Sequence, residues 1–308
     1  MARRSNAARR DASAARRREG IRSQPLRAER RGVLQVAGAA LLWSLGGIGI
    51  KAIAEPPLKI AAYRSATAAV ALFLLFRPKL AGRGPGFFAA SACCAACLTT
   101  FVVATKWTTA ANAVFLQYSG VVWVFLLAPL VVGEPRHARD ALAIAVALGG
   151  MALFFVGKLE ARAHAGDAVA VVSGVFYAGL VLLLRRERGA SAEAAVTWGN
   201  LLVAAALAPL VLRDPGVGAR SAAILVLLGT IQIAAAQALF LRGLEHVRAA
   251  QAALVTLLEP IANPLWVLLV LGEVPSVFAV VGGAVVLAAI AWRTLGAPAA
   301  APAIGALD

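Results

Sequence analysis

The chain has 308 residues, 61% of them hydrophobic, and a formal net charge of +15. Soluble domains are only about 45–50% apolar, so this composition excludes an ordinary soluble protein and predicts an integral membrane protein. The basic excess does not indicate a nucleic-acid-binding protein, because eleven of the thirty Lys and Arg residues lie together in residues 1–31.

The amino-terminal segment lacks apolar periodicity and cannot bury enough surface to fold alone. Residues 1–32 are therefore predicted to form a disordered, Arg-rich cytoplasmic arm that contacts anionic lipid. A translation start further downstream is the alternative interpretation. A secretory signal is not expected, because no small-residue cleavage site follows a short apolar core.

Ten apolar runs follow, each long enough to cross a hydrocarbon core of about 30 Å as a helix. Clusters of Pro, Gly and charged residues separate several of these runs, and such clusters are typical of turns. The Ala- and Pro-rich residues 294–308 are predicted to form a disordered tail. The predicted helices cover residues 33–53, 58–76, 86–105, 110–132, 138–157, 166–184, 194–212, 219–241, 249–271 and 276–293.

One stretch of sequence occurs twice. Residues 110–134 and 249–273 align without a gap, with an amide at the third position and a Gly-Glu pair at the end. They form the fourth and ninth predicted helices, so residues 33–157 and 166–293 each contain five spans. An odd number of spans inverts the second half relative to the first. The sequence therefore predicts an all-α integral membrane protein with ten transmembrane helices in two five-helix inverted-topology repeats.

The distribution of Lys and Arg predicts the orientation. With the amino terminus inside, twenty-two of these residues lie in the arm, the inner loops and the inner helix ends, against seven at the outer side. Cytoplasmic segments carry the excess of Lys and Arg in membrane proteins. Both termini are therefore expected to be cytoplasmic.

Glu259 is the most informative polar residue. It lies about ten residues into the ninth predicted helix and is followed by Pro260. A charged group at that depth costs on the order of 2.5–3.5 kcal/mol on insertion scales, and the proline removes a helical hydrogen bond and frees a carbonyl group. The carboxylate could bind substrate or take up a proton during transport. Structural hydrogen bonding between helices is the equally weighted alternative.

Other polar and aromatic side chains are predicted at membrane depth, where together they suit a cavity for a small organic solute. Arg64 lies early in the second helix, where it could extend to the interface, pair with an acid or bind an anionic substrate group. For each residue alone, interhelical hydrogen bonding remains the alternative. The candidate substrate-binding residues are Trp43, Arg64, Asn112, Gln117, Tyr118, Tyr177, Gln237, Glu259 and Asn263.

No catalytic residue, metal site or cofactor is predicted. The three histidines are scattered over loops, and no Gly-rich phosphate loop or zinc-ligand spacing occurs. Cys93, Cys94 and Cys97 lie together in an apolar helix without further ligands, so they are interpreted as small packing residues. An enzyme is therefore not expected.

Several short motifs resemble the drug/metabolite transporter superfamily, specifically the EamA type. They are residues 41–44 (LLWS), Arg64, residues 111–113 (ANA), the Gly-Glu pairs at 133–134 and 272–273, and residues 258–260 (LEP). The resemblance implies two EamA repeats of five helices across residues 33–293. Residues 119–121 depart from the family's pattern, since Glu-Pro often occurs there. Glu259 therefore has no symmetric partner, which argues against a mechanism with two carboxylates.

This resemblance implies a secondary transporter that moves a small, amino-acid-like metabolite outward across the inner membrane. The inverted repeat independently suggests alternating access. The expected partners are a small-molecule substrate and the lipid bilayer, with a coupling proton or a counter-solute as open alternatives. A scaffold or receptor-like protein, a channel and an integral membrane enzyme remain the alternative functions.

Overall fold

The structure is a computed structural model that describes residues 26–79, 83–156, 164–262, 266 and 276–295. Every regular element within these residues is a helix, which confirms the predicted all-α class. In chain order, the helices α1 to α10 are Leu26–Lys51, Pro57–Phe76, Pro85–Trp107, Ala110–Val131, Ala138–Phe154, His164–Glu187, Gly189–Arg213, Ala219–Leu244, Ala249–Ala262 and Val277–Leu295.

Eight of these helices in the described ranges are long and apolar enough to cross a membrane. The other two are α5, with 17 residues, and the shorter apolar helix α9. The predicted continuation of α9 through residues 263–265 and 267–271 lies outside the described residues, as do residues 1–25 of the predicted arm and 296–308 of the predicted tail.

Helix α1 begins at Leu26, before the predicted start at residue 33. The reason is local, because the Leu, Ala, Glu and Arg residues that precede the apolar run are good helix formers. The early turn is also held by a contact, since Gln251 Nε2 donates to Glu29 Oε1 at 3.0 Å. The carboxyl end of the predicted arm is therefore helical and not disordered.

Helices α4 and α9, which contain the repeated sequence, are broken at the same point. Regular helix runs over Ala110–Gln117 and Ala249–Thr256, and a turn follows at Tyr118 in one copy and Leu257 in the other. Gln117 aligns with Thr256 in the repeat, so the two breaks share one register. Discontinuous helices of this kind often surround binding sites in transporters.

Helices from the two halves of the sequence pack into one core. Helix α3 packs against α6 and α7, α2 against α7 and α8, and α5 against α10. Many of the buried residues are alanines, which allow helices to approach closely. The largest interhelical contacts thus join residues 26–154 with residues 164–295, and neither half forms a separate unit.

The contact between α5 and α10 depends on Gly150. A Cβ atom at this position would lie 2.9 Å from the carbonyl oxygen of Gly282 and 2.9 Å from Val285 Cγ1. The adjacent Gly149 is exposed, and a Cβ atom there would have no neighbour within 4 Å among the described residues.

We therefore expect Gly150→Ala to lower the free energy of unfolding by about 1–3 kcal/mol, because the added methyl group overpacks the helix crossing. Gly149→Ala is the matched control and should leave stability unchanged or slightly higher, since Ala is the better helix former. Thermal unfolding of both variants in detergent measures the difference. Equal melting temperatures would show that the crossing is looser than the structure indicates.

Candidate functional site

A cavity lies between the two halves. The first, fourth, sixth and ninth helices all contribute residues to its lining. The second, third, seventh and eighth helices contribute as well. The lining residues are Trp43, Arg64, Cys97, Leu98, Phe101, Gln117, Tyr118, Tyr177, Leu180, Val181, Leu184, Val196, Gln232, Ile233, Gln237, Phe240, Leu241 and Glu259.

The carboxylate of Glu259 is bound across the halves by Tyr118. The Tyr118 hydroxyl lies 2.6 Å from Glu259 Oε2 and 2.9 Å from the carbonyl oxygen of Thr256. In a regular helix that carbonyl would accept the backbone N–H of the residue four positions later. That residue is Pro260, which has no N–H. The proline thus frees an acceptor beside Glu259, and Tyr118 of the other half occupies it.

Tyr177 continues the network on the sixth helix. Its hydroxyl lies 2.7 Å from Thr256 Oγ1, and Thr256 Oγ1 donates in turn to the carbonyl oxygen of Ala253 at 2.7 Å. Because the threonine proton is used in that second bond, Tyr177 is the donor in the first. The rings of Tyr118 and Tyr177 meet edge to face, with their centroids 6.2 Å apart. Both tyrosines therefore converge on the break in α9.

Three glutamines on the cavity wall are also hydrogen-bonded. Gln117 Nε2 donates to Ser173 Oγ at 2.9 Å, and Gln232 Nε2 donates to the carbonyl oxygen of Trp43 at 3.3 Å. Gln237 Oε1 accepts from Asn200 Nδ2 at 3.0 Å. Gln232 lies in the π-helical turn Leu228–Ala235, a type of bulge that is frequent at functional sites.

Arg64 does not extend to the membrane interface, because its side chain is 1% exposed and faces the cavity. Its Nη2 donates to the carbonyl oxygen of Leu98 at 3.3 Å. Nε and Nη1 have no hydrogen-bond partner within the part of the chain that the structure describes. Among the described residues, Arg64 therefore neither extends to the interface nor pairs with an acidic side chain.

The structure brings seven of the nine predicted site residues to this cavity. Asn112 lies elsewhere, where its Nδ2 donates to Asp167 Oδ1 at 3.0 Å near the start of α6. Asn263 lies outside the described residues. Thr256 was not predicted, although the spacing of four residues before Pro260 identifies its carbonyl as free. The sequence contains no comparable signal for the apolar residues that α3, α7 and α8 contribute to the cavity wall.

Among the described residues, no cluster of three or more His, Cys, Asp or Glu side chains could hold a metal ion. Cys97 contributes to the cavity wall, and Cys94 Sγ lies 3.6 Å from Gln237 Nε2. Their contacts are those of small side chains in a packed helix interface.

We expect Tyr118→Phe to lower the free energy of unfolding by about 1–3 kcal/mol, because the carboxylate of Glu259 and the free carbonyl of Thr256 lose their shared donor. Tyr63→Phe is the matched control, since the Tyr63 hydroxyl donates to the carbonyl oxygen of Pro215 in an exposed contact that water can replace. Thermal unfolding in detergent compares the two. A larger loss for Tyr63→Phe would contradict this account of the network.

Comparisons with known proteins agree with this architecture. A protein of Archaeoglobus fulgidus described as an uncharacterized transporter is 31% identical over 199 residues, which are 64% of this chain and 72% of that protein. A protein of known crystal structure superimposes with a TM-score of 0.71 at 18% sequence identity, over 86% of this chain and 97% of the other. At that identity the likeness shows the fold alone.

The sequence profile of the EamA-like transporter family matches this chain twice, at residues 30–156 and 164–295. The two matches cover most of the sequence and correspond to the halves that meet at the cavity. They confirm the EamA-type resemblance inferred from the short motifs. The chain therefore belongs to the EamA-like transporter family and is a multi-pass membrane transporter.

Proposed function

We propose that the protein is a secondary transporter that moves a small organic solute of amino-acid-like size and polarity across the cytoplasmic membrane by alternating access. The observation that carries this proposal is the cavity between the halves, which combines aromatic, apolar and a few polar side chains. Small-molecule sites typically have this composition. In transporters built from inverted repeats, such sites lie at the interface between the repeats.

Reciprocal contacts support the proposed inverted repeat. Gly32 near the start of α1 packs against His246 and Val247, which follow α8. Gly166 near the start of α6 packs against the residues that end α3, Trp107 and Thr108. In the alignment of the repeats, positions 107 and 108 correspond to 246 and 247. Each half thus begins against the same segment of the other half, as a two-fold relation requires.

The direction of the first helix in each half supports inversion. At the end of α1, Lys51 Nζ donates to the carbonyl oxygen of Thr108 at 2.9 Å. Thr108 also contacts the start of α6 through Asp167, whose Oδ1 accepts from the Thr108 hydroxyl at 2.8 Å. The end of α1 and the start of α6 therefore meet one segment, so the two helices run in opposite directions.

Polar contacts join the halves at both ends of the bundle. At one end, Arg185 Nε lies 2.8 Å from Glu134 Oε1, and Asp140 pairs with both Arg248 and Arg293. At the other end, Asp167 accepts from Thr108 and Asn112 as described above. In an alternating-access cycle these two sets would open in turn. Ion pairs and hydrogen bonds suit this use, because water replaces a lost partner once the end of the bundle opens.

We also propose that the chain crosses the membrane ten times and that both of its termini are cytoplasmic. Accessibility mapping should find tags at both ends of the chain on the cytoplasmic side, because two five-span halves return the chain to the face where it began. A tag in the loop between α5 and α6 provides the control, and it should be reached only from the outside. Termini on opposite faces would contradict the even number of spans.

Purified protein in liposomes should show saturable flux of a small organic solute, found by screening a solute library. Glu259→Gln should lower this flux at least tenfold, because the amide alters the charge and the hydrogen bond at the Tyr118 hydroxyl. Glu55→Gln is the matched control, since Glu55 pairs with Lys59 at the start of α2 and away from the cavity lining. Wild-type flux in folded Glu259→Gln would remove this carboxylate from the mechanism.

The same liposomes test the direction and the coupling. The family resemblance implies export, and a proton or a counter-solute could supply the driving force. Flux that follows an imposed pH gradient would favour the proton. Flux that needs solute on both sides would favour exchange, and flux without saturation would contradict a carrier and favour a channel.

A further inference from the structure

The amide at the third position of each repeated stretch is not explained by the cavity. Asn112 and Gln251 are both buried, and neither is among the residues that line the cavity. Each lies in the first turn of its helix, α4 or α9. Buried polar groups are nearly always hydrogen-bonded, so the partners of these two amides indicate what the amides do.

Both amides bind the same kind of partner. Asn112 Nδ2 donates to Asp167 Oδ1 at 3.0 Å, and Asp167 lies in the first turn of α6. Gln251 Nε2 donates to Glu29 Oε1 at 3.0 Å, and Glu29 lies in the first turn of α1. In each case the broken helix of one half is bound to the start of the first helix of the other half.

The side-chain lengths of the two pairs match their positions. Gly32 and Gly166 are equivalent in the two halves, so Val33 is the equivalent of Asp167. Glu29 lies four residues before Val33, which is about one turn, or about 6 Å, nearer the start of its helix. Glutamine and glutamate each have one methylene group more than asparagine and aspartate, which extends the reach of both partners. Two different pairs therefore make equivalent contacts.

The position of each pair suits a contact that opens and closes. The amides lie near the free ends of two short helical segments, Ala110–Gln117 and Ala249–Thr256, and each segment stops at the break in its helix. A break of this kind can absorb a change in backbone angles. Asp167 and Glu29 are only partly buried, so water can replace the lost hydrogen bond when the pair separates.

We propose that the two amide–carboxylate pairs, Asn112 with Asp167 and Gln251 with Glu29, are equivalent latches that set which end of the cavity is open. This inference deepens the proposed function and rests on its alternating access. Both latches are closed in the described structure. Loss of one latch favours opening at its own end, and alternating access then favours closure of the opposite end.

Cys97 lines the cavity and can report which end is open. The test measures its labelling rate by a membrane-impermeant thiosulfonate reagent, added to right-side-out and to inside-out vesicles that contain the full-length protein. By the proposed topology, Asp167 lies at the outer end and Glu29 at the cytoplasmic end. Asp167→Ala should therefore raise the ratio of outer to inner labelling rates about three- to tenfold, and Glu29→Ala should lower it by a similar factor.

Glu55→Ala and Glu187→Ala are the matched controls, one for each end of the bundle. Both remove a partly buried carboxylate. Glu55 pairs with Lys59, and Glu187 accepts from the Ser191 hydroxyl, so each of these contacts lies within one half. Both controls should leave the ratio of labelling rates unchanged. Cys97→Ala should abolish the signal, which assigns it to the cavity thiol.

An exchange of partners tests the direct contact. Asn112→Asp alone places two carboxylates against each other and should raise the ratio as Asp167→Ala does. Asn112→Asp combined with Asp167→Asn restores one donor and one acceptor, and should return the ratio to the wild-type value. A double variant that stays as far shifted as Asn112→Asp alone would contradict a direct latch.

The latches and the proposed transport fail in different ways. Shifts in the same direction for Asp167→Ala and Glu29→Ala, or no shift in the folded variants, would overturn the latches even if solute flux in liposomes is observed. Opposite shifts without flux of any solute would support the latches and contradict transport. A loss of stability alone cannot imitate the expected result, because it would not shift the ratio in opposite directions.

Discussion

Polar groups inside an apolar bundle must find their partners within the protein or its ligand, and this constraint explains most of the site. Glu259 satisfies it through Tyr118 of the other half, and Thr256 through Tyr118 and through Tyr177 of its own half. The backbone of α9 takes part because Pro260 leaves the carbonyl of Thr256 without its usual donor. One break in one helix thereby joins the two halves at the cavity. Arg64 meets the same constraint incompletely, since two of its nitrogen atoms have no hydrogen-bond partner among the described residues.

The absence of a second carboxylate also has a packing explanation. In the alignment of the repeated sequences, Gly120 is equivalent to Glu259. Gly120 lies at the break in α4. Gly120 packs directly against the backbone of α6 at Gly174, with the ring of Tyr177 beside it. A side chain at this position would push α4 away from α6. The two copies of the repeated sequence thus share a break but differ in chemistry, since the first has Gly120 and Val121 where the second has Glu259 and Pro260.

Much of the fold followed from the sequence, because span lengths and the duplicated stretch depend on local composition. The positions of Glu259, Tyr118 and Tyr177 at the cavity could also be predicted from the sequence, because polar groups at membrane depth face the interior of the bundle or a cavity. The environment of Arg64 did not follow, because its burial depends on how α2 meets α3 and α8. Asn112 illustrates the same limit, since its amide is used by Asp167 of the other half. Such partners are set by tertiary packing.

The π-helical turn in α8 affects how sequences of related proteins align with this chain. In a π-helix the backbone bonds join residues five apart, where an α-helix joins residues four apart. The extra residue within Leu228–Ala235 shifts the phase of everything after it, so Gln237 faces the cavity in a register that does not continue from Ala219–Leu227. A homologue lacking one residue here would keep both ends of the helix in place only by losing this bulge. A single-residue gap in an alignment of this segment therefore indicates the loss of the π-helical turn and should be kept in the alignment.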